Sequence, residues 1–319
     1  MRKIVVMFAG QGAQYVGMGK DFYDQHPSSK QVFDDACYLL GYDIRKICFE
    51  PNDDIHQTQF TQPAILTTSL AIYQALMSSI KLKPQFVLGF SLGEYSAIFA
   101  SGMISFQNII ELIQKRANYM AQDALKHPGA MAAILGMDRV ALNRICEEVR
   151  LIDGLVQIAN YNSPNQLVIS GLKPAVEKVC ELAKANGAKR AMMLNVSGGF
   201  HTPLMSDAAS KIEHHVQRLD IKKPTVNVIM NCDASTLKST NELPQKMKQQ
   251  LSGAVYFEDS VKEAIKQGAT TFIEIGPGQV LTGLVKKIDS SVEVISIDKY
   301  QDIELVKQFL GGNINELNK

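Results

Sequence analysis

Residues 86–98 read FVLGFSLGEYSAI, an apolar run leading into a serine that has glycine two positions away on either side, followed by a helical pattern. Phe86-Val87-Leu88 has the apolar character of a buried strand, and the stretch from about Leu92 to Ala100, closed by Gly102, has that of a helix. Gly89 and Gly93 leave room for a tight turn between the two, with Ser91 exposed at the helix N-terminus. That is the strand, turn and helix context a nucleophile elbow requires. Free backbone N–H groups and the positive end of the helix dipole at such a point favour a developing oxyanion. The plainer reading is a helix N-cap serine. An N-cap needs no glycines, and in this context the nucleophile is favoured.

Outward from this turn, short apolar runs at Ile4–Phe8, Phe86–Leu88 and Thr271–Ile275 are each followed by a helical pattern. The alternation predicts a mostly parallel, helix-covered sheet. Residues of about 127–195 break the rhythm. A strand at Met131–Leu135, a helix near Val140–Val149, strands near Val156–Asn160 and Gln166–Ser170, a helix near Pro174–Asn186 and a strand near Arg190–Leu194 follow in the order βαββαβ. Asn162-Ser163-Pro164-Asn165 reads as the hairpin turn. The order is the ferredoxin-like pattern. The expected fold is therefore α/β: an α/β-hydrolase-like large domain with a mostly parallel sheet, residues 1–126 and 196–319, and an inserted ferredoxin-like small domain, residues 127–195.

Composition removes several classes of function. The 319 residues are 46% hydrophobic and 20% charged with a formal net charge of +1, which leaves no electrostatic footprint for nucleic acid or an acidic membrane surface. Five cysteines, Cys37, Cys48, Cys146, Cys180 and Cys232, lie far apart with no Cys-x-x-Cys spacing, a pattern that suits reduced thiols. No apolar segment approaches the roughly 18 residues of a membrane span, and the run after Met1-Arg2-Lys3 is too short for a secretory signal. The expectation is a soluble, cytoplasmic protein.

A serine nucleophile needs a base within about 3 Å, usually histidine. Of six histidines, His214 and His215 fall in a polar helical pattern, His26 and His127 precede prolines, and His56 lies among polar residues. His201 lies in Ser197-Gly198-Gly199-Phe200-His201-Thr202-Pro203, which follows an apolar strand and begins a helix, a loop at a strand's end where α/β enzymes place reacting groups. Arg116 is the third unusual residue. On a helix over Phe106–Ala124 its neighbours at three and four positions are Leu112, Ile113, Tyr119 and Met120, an apolar side. Either it holds an internal salt bridge or snorkels, or it is a fork for a substrate carboxylate. Gly10-Gln11-Gly12-Ala13-Gln14 lacks the third glycine of a dinucleotide site, since position 15 is Tyr15, and no Walker lysine follows. A loop whose backbone N–H faces the reacting centre fits it better. Gly276-Pro277-Gly278 is read as a strand-to-helix turn with no chemistry assigned.

In this order the pieces resemble the malonyl-CoA:acyl-carrier-protein transacylases of fatty-acid synthesis and the related acyltransferases of polyketide synthases. The stretches that carry the resemblance are GQGAQYVGMG at 10–19, TQPAILTTSLA at 61–71, GFSLGEYSAI at 89–98, QKRANYM at 114–120, GAMAAILGM at 129–137, NYNSPNQLVISG at 160–171, VSGGFHTPLM at 196–205 and EIGPGQVLTGLVKKI at 274–288. The resemblance implies that Ser91 is acylated, His201 is the general base, and the backbone N–H groups of Gln11 and Leu92 form the oxyanion hole. It implies that Arg116 holds the malonate carboxylate, and that a backbone carbonyl near Gln250 orients the histidine in place of a triad aspartate. Asn160 and Asn162 resemble asparagines bordering the thioester channel, and Phe200 resembles the bulky residue of malonyl-preferring members. Most of the family has histidine before the serine, where this chain has Phe90, expected to make one wall of the acyl pocket more apolar.

The implied reaction is ping-pong transfer of malonyl from malonyl-CoA, through Ser91, to the phosphopantetheine thiol of holo acyl carrier protein. That reaction needs no metal or redox cofactor, and the enzyme is expected to act as a monomer. The alternatives are a stand-alone polyketide acyltransferase with another carrier and a serine thioesterase or hydrolase. A hydrolase is expected to show an acid between serine and histidine, and Asp123, Asp138 and Asp153 sit in no such motif. A non-catalytic carrier-binding module is least favoured, because all the reacting positions are filled.

Overall fold

The computed structural model describes residues 2–196 and 198–311. Its strands are β1 (Ile4–Phe8), β2 (Phe86–Gly89), β3 (Ala130–Leu135), β4 (Val156–Ser163), β5 (Gln166–Gly171), β6 (Arg190–Met193), β7 (Asn227–Val228), β8 (Thr271–Ile275) and β9 (Glu293–Ile297). One sheet has the order β7-β2-β1-β8-β9 with every pairing parallel. Parallel strands covered on both faces need continuous apolar runs, and accordingly Val5, Val6, Met7 and Phe8 of β1 are fully buried, as is all of β8. The helix Thr58–Ser79 is buried over almost its whole circumference. Such a helix belongs to the core and shows little amphipathic pattern.

Strand register decides where the chemistry can occur. Phe8 lies opposite Gly89 on one side and Ile275 on the other, so β1, β2 and β8 end level with one another. Their following loops, which carry Gly10-Gln11-Gly12, Ser91 and Gly276-Pro277-Gly278, leave the same edge side by side. The C-terminal edge of a parallel sheet is where open α/β folds form crevices.

The second sheet is antiparallel, with order β4-β5-β3-β6. Helices Arg139–Asp153 and Lys173–Ala185 supply the rest of its separate core, which includes Ile134, Leu142, Val149, Ile169 and Val179. Its hairpin is tighter than the expected four-residue turn. A register irregularity between Tyr161 and Ser163 lets the ladder continue to Ser163, so only Pro164 and Asn165 turn and Asn162 is a buried strand residue. At the other edge of β4, Asn160 forms a parallel bridge with Val255, through Tyr161 N–H to Val255 O at 2.9 Å and Val255 N–H to Ala159 O at 2.8 Å. Arg139 reinforces the junction by pairing with Glu258 at 2.9 Å and Asp259 at 3.1 Å while lying over the Tyr161 ring.

The segment after His201 also differs from the simple helix start expected. A single 3-10 turn at Pro203–Met205 intervenes before the helix Ser206–Val216, and the Thr202 hydroxyl accepts from Leu204 N–H to begin it. Among the described residues all five cysteines are free, and no helix is long and apolar enough to cross a membrane.

The turn after β2 is built without space for side-chain carbon. A Cβ on Gly89 would lie 1.9 Å from the Gly93 carbonyl carbon, one on Gly93 would lie 2.1 Å from Phe8 O, and one on Gly10 would lie 2.4 Å from Phe90 O. All three obstacles are backbone atoms, which cannot rotate away. Gly93→Ala is expected to lose at least about 3 kcal/mol of stability or to fail to fold. Gly283, in the helix Val280–Ile288, has nothing within 4 Å of the same position, so Gly283→Ala should gain about 0.5–1 kcal/mol. Urea denaturation of the two variants checks the contrast; equal effects would overturn the backbone-contact account.

Candidate active site

Ser91 occupies the left-handed region, with φ of 51°, immediately before the helix Gly93–Ala100. A non-glycine residue adopts that conformation only where its surroundings impose it. Here the surroundings are the glycine contacts and one side-chain amide. Asn231 Oδ1 accepts from Ser91 N–H at 2.8 Å, and Asn231 Nδ2 donates to Gly89 O at 2.8 Å. Asn231 N–H in turn donates to Glu94 Oε2 at 2.5 Å. Glu94 is fully buried and its other oxygen has no partner, and burial pushes its carboxyl up to about 8.

His201 is the second residue with a left-handed backbone, φ 60°. Its Nε2 lies 2.7 Å from Ser91 Oγ, and its Nδ1 lies 2.8 Å from the Gln250 backbone carbonyl. A carbonyl only accepts, so Nδ1 carries the proton and Nε2 is left as an acceptor facing the serine hydroxyl. Burial, then the positive charge of Arg116, pull its pKa down to about 4, which keeps the imidazole neutral. Gln157 on β4 donates from Nε2 to the His201 carbonyl at 3.0 Å, and Gln250 Nε2 donates to Ser91 O at 2.6 Å. Among the described residues the pair is therefore oriented by amides and carbonyls, with no carboxylate on the imidazole.

Arg116, on the helix Phe106–Lys126, is 1% exposed. Among the described residues it pairs with no carboxylate, so the internal salt bridge left open by the sequence does not form; nor does the side chain snorkel to solvent. Its NH1 donates to Gln62 Oε1 at 2.7 Å, its NH2 donates to Ser91 Oγ at 3.2 Å and reaches Gln250 Oε1 at 3.4 Å, and its plane lies 5.1 Å from the Tyr95 ring centroid. Burial lowers its pKa. A buried cation without a counter-ion is costly, and this one borders a cavity.

That cavity, of about 230 Å³, brings together Ser91, His201, Arg116, Gln11, Asn160 and Asn162, with Phe90, Phe200 and Met120 among its apolar walls. Phe90 also packs edge-on against Phe257 at 5.5 Å. Since Ser91 N–H is occupied by Asn231, it is not free to hold an oxyanion. Among the described residues the N–H groups of Leu92 and Gln11 have no acceptor, and the Gln11 side chain is fixed through Thr58 at 3.3 Å and Gln62 at 3.3 Å. The described residues contain no cluster of His, Cys, Asp and Glu arranged to hold a metal.

Sequence reasoning missed Asn231, Gln157 and Gln62, and also Val280 and Leu284, which line the cavity from the helix after Gly276-Pro277-Gly278. The available signal for Asn231 was its place directly after the apolar run Val228-Ile229-Met230. Val280 and Leu284 are spaced one helical turn apart, a pattern legible as a helix face but not as a pocket wall.

A family model described as an acyl transferase domain matches residues 5–306. The chain belongs to that acyl transferase family. It is 44% identical over 311 residues to a malonyl CoA-acyl carrier protein transacylase from Bacillus subtilis (strain 168), covering 97% of this chain and 98% of that protein. A protein of the same name from Staphylococcus aureus (strain MRSA252) is 36% identical over 95% of this chain and 98% of its own length. The crystal structure of a malonyl CoA-acyl carrier protein transacylase from Clostridium perfringens superposes with a TM-score of 0.94 at 38% identity, covering 99% of this chain and all of that one. A type II polyketide acyl carrier protein in complex with its malonyl-transacylase matches at 0.91 and 34%, over 95% of this chain and 98% of that one.

Two pH dependences follow for this acyl transferase. With His201 at about 4, kcat/KM should hold nearly constant from pH 7 to 5, where a base titrating near 6.5 loses about 25-fold. A steep fall centred near 6.5 would remove His201 as the base. Glu94 has the opposite sign. Its folded pKa of about 8 lies above the ordinary carboxyl value of about 4.3, so its favourable contribution is complete below pH 4 and declines as pH rises through 8. Urea midpoints of wild type should therefore fall relative to Glu94→Gln between pH 5 and 8; parallel curves would show that Glu94 is ionised in the folded protein.

Proposed function

We propose that the chain transfers the malonyl group of malonyl-CoA to the phosphopantetheine thiol of acyl carrier protein through a malonyl-Ser91 intermediate. The observation that carries the reading is His201 Nε2 at 2.7 Å from Ser91 Oγ beside a buried Arg116 that, among the described residues, bonds to Gln62, Ser91 and Gln250 and to no carboxylate. The chain's relatives bear the name of that activity.

In the first half-reaction Ser91 Oγ attacks the thioester carbon while its proton passes to His201 Nε2. The carbonyl electron pair moves to oxygen, which the N–H groups of Leu92 and Gln11 hold. Collapse restores the carbonyl, breaks the carbon–sulfur bond and returns the proton from His201 to the coenzyme thiolate. The carrier thiol then repeats the sequence in reverse, giving its proton to His201 and releasing Ser91. Gln250 orients the imidazole, and no metal or redox cofactor takes part.

Arg116 supplies acyl selectivity. Its planar fork suits a carboxylate, and an uncharged acyl group leaves the buried cation unpaired. Phe90 and Phe200 bound the acyl group, and Asn160 and Asn162 border the thioester channel. The finer architectural reading belongs with this function: an α/β-hydrolase-like unit, residues 1–126 and 196–319, presents the nucleophile, and a ferredoxin-like unit, residues 127–195, closes the crevice. The strand order β4-β5-β3-β6 and the βαββαβ succession support it.

Incubation with malonyl-CoA alone, followed by intact-protein mass and coenzyme release, tests the reaction class. The expected result is release that stops near one malonyl per chain until a holo carrier is added; continuous release overturns transfer in favour of hydrolysis. Carriers of both fatty-acid and polyketide type belong in the assay, because one related complex contains a polyketide carrier. Arg116→Ala should lose malonyl transfer by at least about a hundredfold and gain transfer of uncharged acyl groups. Unchanged malonyl selectivity would remove Arg116 from the site.

A further inference from the structure

We infer that Asn231 is a positioning residue for acyl transfer, clamping the left-handed Ser91 backbone by bridging Gly89 C=O and Ser91 N–H, with Glu94 fixing the clamp from the helix that follows the turn. This rests on Ser91 being the nucleophile and adds a residue to that reaction. Asn231 is fully buried and follows Val228 of β7 in the segment beside β2, remote in sequence from the turn it holds. Its side chain makes two hydrogen bonds, both at 2.8 Å and both to backbone of the turn, so the amide spans the kink. Its own N–H donates to Glu94 Oε2, which closes a ring running from Gly89 through Ser91 and Glu94 to Asn231 and back.

The arrangement meets two requirements at once. A left-handed serine between β2 and a helix leaves the Gly89 carbonyl and the Ser91 N–H outside both the sheet ladder and the helix, and buried backbone groups need partners. Asparagine is the short side chain that offers an acceptor and a donor in one plane. With Ser91 N–H occupied, the nucleophile's own amide cannot rotate toward the cavity, and the hydroxyl is held on the His201 side. Removing the clamp leaves Arg116 and the cavity walls in place, since neither Arg116 nor His201 bonds to Asn231. The deficit therefore falls on the chemical step and spares binding.

The test compares single-turnover acylation of wild type and Asn231→Ala across malonyl-CoA concentrations, read by intact-protein mass, with near-ultraviolet circular dichroism to establish folding. The expected result is a saturated acylation rate about a hundredfold lower, with the half-saturating malonyl-CoA concentration within about twofold of wild type. A saturated rate within about threefold of wild type in the folded variant overturns the clamp, and so does a loss carried entirely by the half-saturating concentration. If Asn231→Ala does not fold, Asn231→Ser takes its place under the same criteria. Wild type that never forms the malonyl adduct sinks the transfer reading separately. The clamp is then read by fluorophosphonate labelling of Ser91, which uses the serine, the histidine and the oxyanion hole but needs no malonyl group, and equal labelling of wild type and variant overturns it.

Discussion

Between the end of β2 and the helix behind it, backbone touches backbone with no side chain interposed. Gly93 sits against the Phe8 carbonyl, Gly89 against Gly93, and Gly10 against Phe90. The close approach brings the helix N-terminus onto the edge of the parallel sheet, lifts Ser91 out of the turn, and sets the Gln11 loop alongside it. Every other functional group is placed relative to this point: His201 and Arg116 reach the same hydroxyl, from a loop and from a helix, at 2.7 Å and 3.2 Å. Burial of β1 and β8 supplies the rigidity such a turn requires, because a strained residue persists only where its surroundings over-determine it.

Much of this was legible because it depends on local pattern. β1, β2 and β8 announce themselves as short apolar runs before turns, and the glycines around Ser91 report a contact only glycine can make. β7 has two residues and β9 is mostly half-buried, so neither carries a strong hydrophobic signal. The hairpin of β4 and β5 looked longer in sequence because Asn162 is a common turn residue, yet tertiary burial keeps it in the strand. The amides Asn231, Gln157 and Gln62 were illegible for a different reason. Each acts on a partner 140, 44 or 54 residues away, and asparagine and glutamine are unremarkable anywhere on a chain. Ser91, His201 and Arg116 could be singled out because each violates an expectation of its segment.

The electrostatics of the crevice run against stability. A guanidinium that is 1% exposed with only neutral hydrogen-bond partners is a cost to the fold. The same cation helps to hold His201 neutral. A single buried charge thus borders the cavity and adds to the larger effect of burial in holding the imidazole neutral. Burial raises the Glu94 carboxyl, on the helix that follows Ser91, to about 8, which weakens it as a counter-charge to Arg116 near neutral pH.

The antiparallel sheet is more than a wall facing the serine. β4 is joined to the segment before the helix Phe257–Lys266 through the bridge of Asn160 with Val255, and Gln157 of the same strand holds the His201 carbonyl at 3.0 Å. Asn160 and Asn162 of that strand face the cavity. One strand therefore lines the cavity and supports the His201 backbone, so the two are not independent variables. A displacement of β4 therefore moves a wall of the cavity and a support of the imidazole backbone together.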